Sequence, residues 1–284
     1  HRQDLSFGQL KIYYNESGNN LTDKFATNLE LLTETGDYNY VAYLLADNNN
    51  TSIKVAKYAG TDRVDLIESN EYGNCSLIKA TKQVLDKLDL ENKTSTKITS
   101  KERIDTPLWN PIALREAVIN AIVHNDYSFE VPPKFEIFSD RLEITSAGGL
   151  VSGLSQEEFF EGYSIPRNKE LMRIFKDLDM VEYLGSGVPR ILQSYGRECF
   201  RFTDNFLRMT MPNSVVKDFE DGGQIGGSIG GSIGGSMNKS FSLTPRQKQI
   251  LSLINQDNKI SYRTLASKLQ INDSAVKKHL ESLK

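Results

Sequence analysis

The sequence predicts an α+β multidomain protein, and three observations support this fold class. Mixed helix and strand patterns fill residues 1–105 and 106–218, whereas residues 242–284 show purely helical patterns. Between them, residues 222–236 (GGQIGGSIGGSIGGS) hold eight glycines, which favour a flexible linker that we place at 219–241. The isoleucines of this segment recur in phase, so an extended segment that docks them on a neighbour is the alternative.

The first domain combines strand and helix signals. Residues 39–47 and 52–58 are predicted strands on either side of a turn at 48–50. A helix is predicted from an apolar stripe at helical spacing, which consists of Leu77, Ala80, Thr81, Val84, Leu85 and Leu88. The sequence begins without a methionine or an obvious first element, so we expect part of this domain to precede it.

The second domain begins with a helix that Pro111 opens and that runs to about His124, because proline is tolerated in a first helical turn. A hairpin is predicted over residues 135–144, where apolar and polar residues alternate around a central turn. Two glycine clusters follow, at 148–149 and 185–187, and a polar, helix-prone stretch separates them.

The composition excludes several classes of function. Two distant cysteines, Cys75 and Cys199, and three scattered histidines are incompatible with a disulfide framework or a Cys/His zinc site. The sequence has no GxxxxGK[ST] phosphate loop, which excludes a helicase motor of the P-loop type. It also has neither a long apolar run nor a signal-peptide pattern, so we expect a cytoplasmic protein without a membrane partner.

The charge is distributed unevenly along the chain. The formal net charge is −3, but Lys239 to Lys284 contain nine Lys/Arg and three Asp/Glu, a local charge of +6. The preceding residues therefore carry −9. An acidic body followed by a basic segment indicates two functions on one chain.

Glu116, Asn120 and His124 form one row along the first helix of the second domain, because they are spaced four residues apart. A carboxylate, a carboxamide and an imidazole in a row could position a water and a hard cation, since Glu accepts a proton and Asn offers an oxygen to Mg²⁺. Alternatively, the row is the solvated side of an amphipathic helix, with His124 near the last carbonyls. The residues alone leave both interpretations open.

A set of short motifs follows this row in a fixed order. They are REAVINAIVHNDY at 115–127, DRLEI at 140–144, GGL at 148–150, Arg167-Asn168, and GSG at 185–187. Over residues 106–200 this set resembles the divergent GHKL-type ATPase module of bacterial transcriptional regulators labelled RecG-like or Schlafen/AlbA-containing. The resemblance implies a GHKL-like α/β sandwich that follows the later part of a Schlafen/AlbA-like α/β unit at 1–105.

The resemblance also implies roles for individual residues. Glu116 matches the general base of GHKL ATPases, and Asn120 matches their Mg²⁺-binding asparagine. From its place in the same helix row, we expect His124 at this nucleotide site as well. Gly148 and Gly149 match the glycine box that lies against the adenine.

Gly185 and Gly187 match the second glycine box, near the triphosphate, where backbone N–H groups can approach an anion. The implied cofactors are ATP and Mg²⁺.

The first glycine box departs from the family pattern. GHKL enzymes carry an aspartate just before it that accepts a hydrogen bond from the adenine amino group, whereas this sequence has Ser146 and then Ala147. A hydroxyl can accept but lacks the charge-assisted contact. Arg167, in the expected lid, offers a fork of donors to a phosphate; the alternative is a surface arginine paired with Glu161 or Glu170.

The basic segment at 242–284 predicts three helices, which begin at Thr244-Pro245, at Ser261, and at Asp273 or Ser274. The pattern resembles the winged helix-turn-helix of bacterial transcription regulators, and we expect the wing to lie beyond Lys284.

The third of these helices is expected to enter the major groove of double-stranded DNA. Ser274, Lys277 and Lys278 would then lie nearest to bases and phosphates. The alternative is a three-helix domain for dimerisation or protein contact, and the local charge of +6 favours DNA.

Together these features predict a bacterial transcriptional regulator with a nucleotide-binding sensor module. We expect it to bind DNA as a homodimer, since operators are commonly palindromic. One alternative is an active ATPase in which Glu116 activates water and Asn120 holds Mg²⁺. Another is an interaction scaffold with a vestigial pocket.

Overall fold

The computed structural model describes residues 3–98, 102–181, 185–214, 253 and 261–269. The chain divides into two compact units, His1–Ile225 and Gly226–Lys284.

The first unit contains a sheet of six strands in the order β2-β1-β5-β6-β8-β7 and a separate hairpin of β3 and β4. The strands are β1 (Ser52–Tyr58), β2 (Leu66–Gly73), β3 (Thr94–Ile98), β4 (Arg103–Pro107), β5 (Lys134–Ile137), β6 (Arg141–Ala147), β7 (Phe200–Phe202) and β8 (Phe206–Pro212). All neighbouring strands are antiparallel except β1 and β5, which are parallel.

The helices of this unit are α1 (Gly8–Glu16), α2 (Phe25–Asn28), α3 (Tyr40–Leu45), α4 (Leu77–Glu91), α5 (Pro111–Val123), α6 (Gln156–Glu161), α7 (Lys169–Asp177) and α8 (Gly187–Leu192). Helix α4 packs against β1 and β2, α5 packs against β6, and the two helices contact each other. The predicted α+β fold class, the helix at 77–88, the strand at 52–58 and the hairpin at 135–144 are confirmed.

Alternation along the strands builds the core beneath these helices. Every second residue of the central strands is buried in it: Ile53, Val55, Phe135, Ile137, Leu142, Ile144, Met209 and Met211. The only tryptophan, Trp109, is buried beside them and donates its indole N–H to the Met211 carbonyl at 3.0 Å. Because β1 and β2 precede residue 105 and the other four strands follow it, the predicted boundary at 105/106 falls inside one sheet.

The predicted strand at 39–47 is wrong, since residues 40–45 form helix α3. Asn39 starts this helix by accepting a hydrogen bond from the Ala42 amide at 3.0 Å. A short apolar run suits a buried helix turn as well as a strand, so periodicity alone could not separate the two. Asn49, in the predicted turn, is buried and donates to the Leu44 and Cys75 carbonyls.

In the second unit the structure describes residues 253 and 261–269, which include helix α9 (Tyr262–Leu269). It matches the predicted second helix of the helix-turn-helix: Ser261 accepts from the Thr264 amide at 3.2 Å, and Leu265, Ala266 and Leu269 are buried. The predicted third helix, with Ser274, Lys277 and Lys278, lies outside the described residues. Among the described helices, none combines the length and the apolar character needed to cross a membrane.

Candidate functional site

A cavity of about 160 Å³ lies between the core face of the sheet and helices α5, α6 and α8. All nine residues that the sequence singled out for a nucleotide line this cavity, although they are spread over more than seventy positions. They are Glu116, Asn120, His124, Ser146, Gly148, Gly149, Arg167, Gly185 and Gly187. The fold therefore brings the predicted residues together, and their chemical roles stay predictions.

Helix α5 positions the row of Glu116, Asn120 and His124. The Asn110 side chain caps the helix by accepting from two amides at 3.0 Å, and Pro111 occupies the first turn. Glu116 is only 8% exposed, so the interpretation of this row as a solvated helix face is wrong. The reason is that α5 is covered on two sides, by the sheet and by α8.

The Glu116 carboxylate is held by two arginines that sequence reasoning did not assign to the site. Arg190 of α8 donates to Glu116 Oε1 at 2.8 Å, and the Arg115 guanidinium lies 3.5 Å from the same oxygen. Arg190 comes three residues after Gly187, and that spacing was the available signal for an arginine beside the second glycine cluster. This ion pair keeps the carboxylate engaged at the cavity wall.

The second glycine cluster fits closely against α5. A Cβ at Gly187 would lie 2.8 Å from Asn120 Nδ2 and 3.0 Å from Glu116 Oε2, so any larger residue would intrude between them. Gly185 has a φ of +64°, and a side chain there would overlap the Gly162 carbonyl. Within the described part of the chain, the Asn120 carboxamide makes no side-chain hydrogen bond and remains available to the cavity.

The first glycine cluster packs against Arg167. Gly148 has a φ of +90°, and a Cβ there would lie 2.9 Å from the Arg167 guanidinium. Arg167 donates to Asp126 Oδ2 and to the Gly149 carbonyl, both at 2.8 Å. Its partner is therefore Asp126, and the expected pairing with Glu161 or Glu170 is wrong, because the guanidinium lies over the end of β6.

Ser146 and His124 lie at the end of β6 and of α5 and face the same cavity. Ser146 is 5% exposed. Burial, together with the smaller effect of the positive charge of Arg167, lowers the pKa of the His124 imidazole from 6.5 to about 4. The imidazole is therefore neutral at neutral pH.

The described residues contain no group of three or more His, Cys, Asp or Glu side chains placed to hold a metal ion. A cation in this cavity would thus need most of its ligands from a bound molecule and from water, which is the usual situation for Mg²⁺.

Two segments of the chain match known families. Residues 131–209 match the family described as "Putative ATP-dependent DNA helicase recG C-terminal". Residues 243–284 match the winged helix-turn-helix DNA-binding family. The first match contains Ser146, both glycine clusters and Arg167, but it begins after Glu116, Asn120 and His124.

A solved structure has a similar fold: the DIP2311 protein from Corynebacterium diphtheriae, with a TM-score of 0.61 at 17% sequence identity. The alignment covers 98% of this chain and 57% of that one, so this chain spans little more than half the length of its structural neighbour. No curated protein matches the sequence. The chain is thus similar to a RecG C-terminal, HATPase-like family over its central segment and to winged helix-turn-helix domains over its C-terminal segment.

Proposed function

We propose that this protein is a DNA-binding transcriptional regulator whose cavity binds an adenine nucleotide with Mg²⁺ and acts as a sensor. One observation carries the proposal: nine residues chosen from the sequence for a nucleotide site line a single cavity. The similarity of residues 131–209 to a family described as ATP-dependent supports the nucleotide, and the match over 243–284 supports DNA.

The side chains present fit a magnesium nucleotide. Asn120 would offer its carboxamide oxygen to Mg²⁺, and the ion would neutralise phosphate charge when bound. Gly187 leaves the room beside Asn120 that a Cβ would fill. The Schlafen/AlbA assignment of residues 1–105 belongs to the same proposal.

The hydrogen bond that Glu116 accepts from Arg190 favours a sensing role over hydrolysis. A general base must be free to accept a proton from water, whereas this carboxylate already accepts a hydrogen bond from Arg190 at 2.8 Å. The contact lies inside the first unit and holds α8 against α5. A ligand that binds beside Gly187 would therefore contact both α5 and α8 and change how they pack. A sensor requires such a ligand-dependent change in conformation.

Thermal unfolding tests nucleotide binding. Trp109 fluorescence reports on the first unit, and saturation at a hundredfold above Kd adds about 2.7 kcal/mol, which raises Tm by roughly 5–10 °C. Asn120→Ala should abolish this rise, whereas Asn48→Ala, at an exposed position, should keep it. The absence of a shift with ATP and Mg²⁺ for the unaltered chain would overturn the proposal.

DNA binding is tested on the full chain by its salt dependence. We propose contacts from Ser274, Lys277 and Lys278 and a homodimer on a palindromic site. Replacing either lysine with alanine should lower the magnitude of the slope of log K against log salt by about one per protomer, or about two for the homodimer. Binding that does not respond to salt would favour a protein-contact role for this domain.

The second candidate function is an active ATPase, favoured by the burial of Glu116 next to Asn120. Phosphate release separates the two candidates. A sensor predicts the same slow rate for the unaltered chain and for Glu116→Ala, whereas an ATPase predicts a loss of at least about 100-fold in the variant.

A further inference from the structure

We infer that Ser146 makes the cavity tolerant of the purine base, so that 6-oxopurine nucleotides bind about as well as 6-aminopurine nucleotides. This inference rests on the proposed nucleotide function and names the ligand class of the same cavity. It follows from the polar groups that remain available at the end of β6.

The backbone around the first glycine cluster is already committed to other partners. The N–H and the C=O of Ala147, the N–H of Gly148 and the C=O of Gly149 all form hydrogen bonds within the protein, at 2.7 to 2.9 Å. These two N–H groups therefore have no hydrogen left to donate to a base at this strand end, and each of the two carbonyls has already used one of its two lone pairs. We therefore assign recognition of the base mainly to side chains.

Two uncommitted side chains line the cavity at this end. Within the described residues, neither the Ser146 hydroxyl nor the His124 ring makes a side-chain hydrogen bond. The Asn125 side chain accepts from the Ala147 amide at 2.8 Å, which places the end of α5, and hence His124, beside the end of β6. The two terminal nitrogens of Arg167 are engaged by Asp126 and by the Gly149 carbonyl, and its Nε is buried without a hydrogen-bond partner within the described residues.

The surroundings of Ser146 favour a flat, apolar ring. Ser146 pairs with Leu207 across the sheet and lies on the same strand face as Ile144, which pairs with Met209. All of these side chains line the cavity, together with Phe159. An aromatic base can bury its ring against these apolar side chains. The polar edge of the base then needs a hydrogen-bond partner.

Both available partners can reverse their hydrogen-bond direction. A hydroxyl donates one hydrogen and accepts through two lone pairs, and a neutral imidazole donates from one nitrogen and accepts at the other. Adenine presents an amino donor where guanine and hypoxanthine present a carbonyl acceptor. A carboxylate can only accept and would distinguish the two, whereas Ser146 and His124 can satisfy either.

ATP and inosine triphosphate form the matched pair for the test, because they differ only at position 6 and its neighbouring ring nitrogen. Calorimetric titration of the full chain with each nucleotide and Mg²⁺ should give dissociation constants within about threefold of each other. Ser146→Ala should weaken both by a similar factor, and Ser146→Asp should favour ATP by more than about tenfold. Thr145→Ala, whose side chain lies on the opposite strand face, should leave the ratio unchanged.

The outcomes separate this inference from the proposed function. If neither nucleotide binds, the proposed function fails. If ATP binds and inosine triphosphate binds more than about tenfold less tightly to the unaltered chain, the inference alone fails. Unchanged affinities in a folded Ser146→Ala variant would also overturn it, and this comparison holds even if Ser146→Asp does not fold.

Discussion

Removal of the Arg63 side chain should destabilise the sheet that carries the cavity. Glu136 and Glu143 are paired across β5 and β6 and are only 4% and 5% exposed, so their charges need a nearby cation. Arg63 donates to Glu136 Oε1 at 2.6 Å and to Glu143 Oε2 at 2.8 Å. Arg63→Ala leaves these two carboxylates facing each other with fewer partners.

The magnitude follows from burial and from the remaining partners. Breaking a fully buried ion pair destabilises by about 3–5 kcal/mol, but exposed groups are screened. Arg63 is 44% exposed, Glu136 keeps Lys134 at 3.0 Å, and Glu143 keeps Arg141 at 2.8 Å. We therefore expect a loss of about 2 kcal/mol at pH 7, or roughly 4–8 °C in Tm.

The loss should depend on pH with a defined sign. Burial alone would raise the pKa of Glu136, but hydrogen bonds from Arg63 and Lys134 hold this pKa below its ordinary value of 4.5. The ion pair therefore stabilises the fold above pH 4.5 and loses this effect as the pH falls further. The difference between Arg63→Ala and the unaltered chain should shrink accordingly.

Urea unfolding followed by Trp109 fluorescence at pH 7 and at pH 4 measures this difference. Lys54→Ala is the matched control, because it removes an ion pair with Glu71 in which both side chains are more than half exposed. We expect it to change stability by less than about 0.5 kcal/mol. A loss below this level for Arg63→Ala, or a loss that is equal at both pH values, would refute the reasoning.

Two further predictions concern the cavity. Gly187→Ala places a methyl 2.8 Å from Asn120 Nδ2, so it should weaken nucleotide binding at least about tenfold and destabilise by only about 1 kcal/mol, since the displaced atoms end flexible side chains. Gly60→Ala, in open space, is its control, and equal calorimetric affinities for both variants would contradict this placement. His124 has a pKa of about 4, so the free energy of unfolding should fall as the pH drops from 6.5 toward 4. His124→Gln should reduce this pH-dependent loss of unfolding free energy by about 2–3 kcal/mol. If the variant and the unaltered chain instead lose stability in parallel, the imidazole is not a buried neutral group.

Sequence patterns correctly predicted the helices and strands that have a sustained hydrophobic periodicity or a residue typical of a helix end. Helix α5 follows from Pro111 and its apolar spacing, and the hairpin of β5 and β6 follows from strict alternation. Helix α3 was mistaken for a strand because an apolar run of six residues fits a short buried helix as well as a strand. The hydrogen bond by which Asn39 caps the helix is seen only in the folded chain.

The sequence predicted which residues line the cavity more completely than it predicted which side chains form ion pairs there. All nine residues line the cavity, yet the partners of Glu116 and Arg167 were missed. Arg190 and Asp126 are 74 and 41 positions away from them in sequence, and no local period relates such residues. Ion-pair partners depend on the packing of α8 and of the loop before α7, which only the folded chain determines.

Two asparagines explain why residues from separate segments meet at one cavity. Asn168 donates to the Val123 and Asn125 carbonyls at 2.8 and 2.9 Å, so it ties the start of α7 to the end of α5. Asn125 is fully buried and accepts from the Ala147 amide, which ties the same helix end to β6. These amides satisfy backbone groups that would otherwise be unpaired at a helix end and a strand end. The framework that shapes the cavity is thus distinct from the groups that face a ligand. A change in Asn168 should weaken all nucleotides alike, whereas a change in Ser146 should alter the preference among them.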